Sequence, residues 1–159
     1  MGRKYVVQTS AVAITAAQDL FEVLGASDSV TIVHGWAVMQ TTDVSDAAEE
    51  ILRIETVRGI GATSGSGGSS PTVQPVDDGD SAFGGTVEAN NTTRMTAGGG
   101  SLETLEQWGW NIRIPMTQIY TPELRPTIGP GEYWTLSLPA APADSITTSI
   151  SLWLEEIGG

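Results

Sequence analysis

Hydrophobic and polar positions in this chain alternate with period two far more often than they follow a helical period. Over residues 145–157, Ile146, Thr148, Ile150, Leu152 and Leu154 fall on one face, with Thr147, Ser149, Ser151, Trp153 and Glu155 on the other. Successive strand side chains point to opposite faces, so this spacing predicts a half-buried antiparallel strand. Residues 132–138 repeat it with Trp134, Leu136 and Leu138 inward, and 110–116 with Ile112, Ile114 and Met116 inward. Further strands are predicted over 5–14, 20–24, 30–40, 50–58 and 101–108. Helix is confined to two short candidates, 15–20 and 45–50, the second behind a possible Ser45 cap.

Glycine and proline punctuate the intervals, at Gly25, Pro71, Pro75, Pro115, Pro122, Pro126, Gly129-Pro130-Gly131 and Pro139, where a strand would lose ladder hydrogen bonds. About eight short strands with turn signals between them predict an all-β, antiparallel β-sandwich, jelly-roll-like, in a single domain spanning 1–159. One interval breaks the rhythm. Residues 59–93, GIGATSGSGGSSPTVQPVDDGDSAFGGTVEANNTT, form a long Gly/Ser-rich loop without a basic residue. A compact domain keeps so long a connection when it binds, wraps a neighbour or is simply disordered. The expectation is an inserted loop or arm that orders against another subunit, with Phe83 as its apolar anchor.

Composition narrows the functional classes. Cysteine is absent, which removes disulfides, thiolate metal sites and cysteine nucleophiles. Seven Lys+Arg against nineteen Asp+Glu give a net charge of -12, which repels phosphate backbones; no direct nucleic-acid contact is expected. No window approaches the roughly 20 apolar residues of a membrane-spanning helix, and the amino end has no signal-peptide h-region, so a soluble product made in a cytoplasm is expected.

Candidate chemistry is sparse. His34, the single histidine, lies mid-strand without a ligand-spaced partner and reads as a packed or hydrogen-bonded strand residue. The turn Val76-Asp77-Asp78-Gly79-Asp80 lacks calcium-loop spacing and reads as solvated. Residues 65–68 are not a phosphate cradle, since no G-K-[ST] follows. The Asn90-Asn91-Thr92-Thr93 sequons read as turn chemistry. The pairs Glu49-Glu50 and Glu155-Glu156 point to opposite faces and cannot flank one bond. Neither catalysis nor a cofactor is expected. Of the five tryptophans most are expected in the core, with Trp108 and Trp110 sharing a face around Gly109.

The block GSGGSSPTVQPVDDGDSAFGGTVEANNTT, with VAITAAQDLFEV, APADSIT and the terminal LEEIGG, resembles a family of small proteins encoded in tailed-phage and prophage genomes. In size, acidity and β-architecture the chain is also similar to auxiliary virion proteins that decorate capsids. The resemblance implies a structural virion protein that decorates or cements the capsid exterior, partnered by itself as a homo-oligomer, a trimer favoured, and by the major capsid protein or another virion protein. Residues expected at such contacts are Ser64, Ser66, Pro71, Val73, Pro75, Phe83, Val87, Asn90, Asn91, Trp108 and Trp110. A connection at 120–126, exposed by its prolines and mixed charge, is a further contact candidate. The alternative is a carbohydrate-binding module on a tail or fibre, with Trp108, Trp110, Asn111, Asn90 and Asn91 as its surface.

Overall fold

The computed structural model describes residues 2–41 and 49–158. Eleven strands and one 3-10 turn make up its regular structure: β1 (Arg3–Ile14), β2 (Gln18–Leu24), β3 (Ser29–Gln40), β4 (Ile51–Ile60), β5 (Val73–Pro75), β6 (Thr86–Asn91), β7 (Ser101–Asn111), β8 (Met116–Ile119), the turn Pro122–Leu124, β9 (Thr127–Ile128), β10 (Tyr133–Leu138) and β11 (Ile146–Gly158). One sheet runs β5-β1-β11-β3-β8, with β9 also paired to β3; the other runs β6-β2-β10-β4-β7, and every pairing is antiparallel.

The pairings nest. β4 meets β7, β3 meets β8, β2 meets β10 and β1 meets β11, so the chain is one long doubled hairpin rolled into two facing sheets. This is jelly-roll topology, in which the pairing of distant strands leaves only the outermost edges open. The alternating faces explain it: Ile146, Thr148, Ile150, Leu152 and Leu154 are all buried, as are Trp134, Leu136 and Leu138, and they meet in one core with Trp36, Phe21, Val33 and Trp110. Trp36 meets Trp108 edge to face at 5.2 Å, and Tyr5 meets Phe83 in the same way.

Two sequence expectations are corrected, and a third lies largely outside the described residues. Residues 15–17 make the bend after β1 and 18–20 open β2 instead of a helix, because Leu20, Phe21 and Val23 are needed in the core. The helix candidate at 45–50 falls largely outside the described residues; Glu49 and Glu50 are not helical. The strand over 110–116 breaks into a turn, where Ile114 N–H donates to Asn111 O at 3.0 Å, Arg113 N–H donates to Asn111 Oδ1 at 3.0 Å, and the Trp110 indole N–H donates to Ile114 O at 2.9 Å. Pro115 has no N–H to continue the ladder, and Ile114 is left exposed.

The long connection between β4 and β7 runs over 61–100 and carries two strands of its own. β5 extends the first sheet beside β1, and β6 extends the second beside β2. The excursion therefore covers both sheets on one side of the sandwich. The opposite side, where β7 faces β8 and β9, has no such cover.

Candidate interaction surfaces

The outer face of the second sheet is acidic, and the chain covers it with its own backbone. Cross-strand register places Asn91, Asp19, Ser137, Glu55 and Gln107 in one row and Glu88, Glu22, Thr135, Val57 and Thr104 in the next. Residues 63–69 and 92–96 lie over these rows as a ladder of isolated bridges, Thr63 with Thr96, Ser66 with Thr93 and Ser69 with Ala89. Glu22 holds one arm, accepting from the Ser64 hydroxyl and from Gly65 N–H at 2.9 Å. Asp19 holds the other, accepting from Met95 N–H at 2.6 Å and from the Ser137 hydroxyl at 2.7 Å. Arg94 reaches down between them, donating to Glu55 Oε1 at 2.9 Å and Ser137 Oγ at 2.9 Å, with its Nε 3.5 Å from Asp19 Oδ1. Gly59 has no side chain because Met95 lies where its Cβ would project, 2.7 Å from the sulfur.

Burial is the main influence on these carboxyls. Loss of water raises the pKa of Asp19 above the ordinary carboxylate range, against the opposing hydrogen bonds from Met95, Ser137 and Arg94. Burial likewise raises that of Glu22, against the Ser64 and Gly65 bonds. The cluster is a clamp for the excursion: each carboxylate is matched to backbone or hydroxyl donors that belong to the same chain.

The outer face of the first sheet carries a different surface. Val6, Trp153, Gly35 and Ile119 stand in register across β1, β11, β3 and β8, and Val30 pairs with Ile157 on the same face. A bulge in β3 brings His34 onto this face too, its Nε2 2.7 Å from Glu155 Oε2, a carboxylate partner that only strand pairing could reveal. Beneath this row lie the core residues Val7, Val33, Trp36, Leu152 and Leu154, and only beside Ile157 does the interior turn polar. Glu156 is buried, accepting from Ser29 Oγ at 2.8 Å, Gly84 N–H at 3.1 Å, Arg3 at 2.9 Å and the Tyr5 hydroxyl at 3.3 Å. On the outer face Ile119 is 63% and Ile157 47% exposed.

The residues expected at partner contacts are scattered by the fold. Ser64 is spent on Glu22, and Ser66 on its bridge to Thr93. Pro71 is half-buried, Val73 and Pro75 form β5, and Phe83 packs on Tyr5. Val87, Asn90, Asn91 and Trp110 are buried and offer no surface: Val87 and Trp110 belong to the core, Asn90 accepts from Gln18 at 3.2 Å, and Asn91 donates to Glu88 at 2.8 Å. Trp108 is half-buried against Trp36. Residues 59–93 are held within their own chain by β5, β6 and the three bridges, while 66–70 and 76–79 stay exposed. The glycan surface of Trp108, Trp110, Asn111, Asn90 and Asn91 also does not form, because β6 and β7 are opposite edges of one sheet. The apolar row on the first sheet escaped notice in the sequence because its members come from four strands, each contributing one or two.

No protein-family model matches the chain, and no curated protein does. Among solved structures, the chain is similar to one described as "Structure of infectious bursal disease virus Gx strain", at 15% identity and a TM-score of 0.22, with 99% of this chain and 42% of that chain covered. The chain thus spans under half the length of that neighbour, and at this TM-score the likeness carries no argument.

Proposed function

We propose that the protein is a structural component of a tailed-phage virion, a jelly-roll subunit that assembles with copies of itself and decorates or cements the capsid exterior. The observation that carries this reading is the outer face of the first sheet. It is the sheet face that the excursion leaves uncovered, with Ile119 and Ile157 exposed and Trp153, Val30 and Val6 half-buried beside them. Burying one such aliphatic side chain against a partner contributes about 1.5–3 kcal/mol, so a few of them suffice to hold a subunit contact. The sequence resemblance to phage-encoded proteins supports the setting, and the charge of -12 keeps the unassembled subunit soluble.

The test is co-sedimentation of the purified protein with heads of a phage that encodes it. Saturable binding at a fixed ratio to the major capsid protein is the expected result; protein that stays in the supernatant at every concentration contradicts the proposal.

A further inference from the structure

A sheet that ends in a free strand invites another strand to pair with it, so natural sandwiches shorten, interrupt or cover their edges. Three of the four edges here follow that rule. β5 has three residues and ends at Pro75. On the far edge of the same sheet β8 has four residues and β9 two, with Pro122 and Pro126 between them. β6 is covered by the excursion, since Ser69 and Ala89 exchange backbone hydrogen bonds at 2.9 and 2.8 Å. β7 is the exception. It runs for 11 residues without a proline, and 101–105 are all exposed. Among the described residues, no backbone group of 101–110 bonds to anything but β4.

Charged side chains are the other common guard of an open edge, but those of β7 are engaged within the sandwich. Glu103 pairs with Arg58 of β4, and Glu106 is hydrogen-bonded to the Tyr120 hydroxyl of the facing sheet. The register slip between Thr104 and Glu106 makes Leu105 a bulge residue. Leu105 and Leu124, both exposed, line an inter-sheet cleft of about 500 Å³ beside this edge. Leu102 stands on the opposite face of β7, near Met95. A strand added here would drop alternate side chains into the cleft and over Leu102, as side-chain alternation requires. Charge sets its chemistry. Glu123 is exposed at the cleft, whereas Arg58 and Arg125 are half-buried, and the chain carries -12 overall. A second copy would meet this edge with a surface equally acidic; a basic segment would be drawn to it. We infer that β7 is a docking edge for an extended segment of another protein, apolar at alternate positions and carrying Lys or Arg, which pairs with its backbone and seats an apolar side chain between Leu105 and Leu124. This edge shares no residue with the outer face of the first sheet, so it stands or falls separately from assembly there.

The test is a titration of the ¹⁵N-labelled full chain with three synthetic peptides of about nine residues, the length of a typical strand. One alternates valine with threonine and lysine, one has glutamate for each lysine, and one repeats the first with its central residues replaced by proline. The lysine peptide is expected to shift the backbone amide signals of 101–106 and slow their hydrogen exchange, leaving those of β5 and β8 as they are. Glutamate should weaken binding at least about tenfold, and the proline break should abolish it. Leu124→Lys, at an exposed position on the connector, should weaken the lysine peptide by a similar factor and leave the melting temperature unchanged. Amides of 101–106 that respond to no peptide overturn the inference. So does an equal response at β5 and β8, or a glutamate or proline-broken peptide that binds as well as the first. Exchange protection of 101–106 that grows with the protein's own concentration, with no peptide present, would give the edge to a second copy and overturn it too.

Discussion

At the scale of single residues, the fold is set by where it tolerates discomfort. Ala11 takes φ of 52° in the bulge where β1 slips against β11. Left-handed backbone costs an L-residue about 1–2 kcal/mol, which glycine avoids, partly offset by the larger entropy of an unfolded glycine. Ala11→Gly is therefore expected to raise the melting temperature slightly, and a clear decrease in a calorimetric scan would contradict this. Asp19 and Glu22 have pKa values that burial lifts above those of the unfolded chain. In the window between the two states the native form holds more protons, so their contribution to stability falls as pH rises and recovers as pH falls toward the ordinary carboxylate range. Glu22→Gln should flatten part of that gain in thermal scans from neutral to mildly acidic pH; an unchanged slope would exclude Glu22 as its source. Arg94→Ala removes a charged donor from Asp19 and Glu55, which keep the Met95 and Ser137 bonds and the Gln107 bond, and should cost about 1–3 kcal/mol in denaturant unfolding.

At the scale of elements, the excursion over 61–100 belongs to the sandwich. Deleting 63–70 removes the Ser64 and Gly65 donors from Glu22 and three bridged contacts, so the isolated protein should lose roughly 2–4 kcal/mol of stability; an unaltered denaturation midpoint would mean the clamp is unimportant. β11 was legible because one face is dry and one partly wet along a single segment, and β10 because apolar residues alternate with Thr135 and Ser137, although both its faces are buried. β2 was harder, being buried on both faces, with Asp19 and Glu22 carrying charge into a covered layer. The excursion was illegible as structure because backbone contacts hold it: its serines and glycines serve as small donors and close-approach positions, a composition that looks like a flexible loop. Gly68 shows why, since a Cβ there would lie 2.1 Å from the carbonyl oxygen of Ala89.

At the scale of the whole molecule, the two outer sheet faces are treated oppositely. One is acidic and covered by the chain itself; the other is uncovered and mixed, with exposed Ile119 and Ile157 beside the His34–Glu155 pair. The inter-sheet cleft opens on the third, uncovered side, a surface assembled from β4, β10 and a connector, which no local motif could announce. The excursion lies against the second sheet and leaves the outer face of the first uncovered, and it is on that face that assembly is proposed. The most direct measurement of that claim is the solution mass by light scattering of the natural protein beside Ile119→Lys, whose exposed side chain should carry a charge without disturbing the core. The expected result is a closed oligomer for the natural protein and a monomer of unchanged melting behaviour for the variant; a natural protein that is monomeric up to high concentration, or a variant with the same oligomeric mass, would contradict assembly through this face.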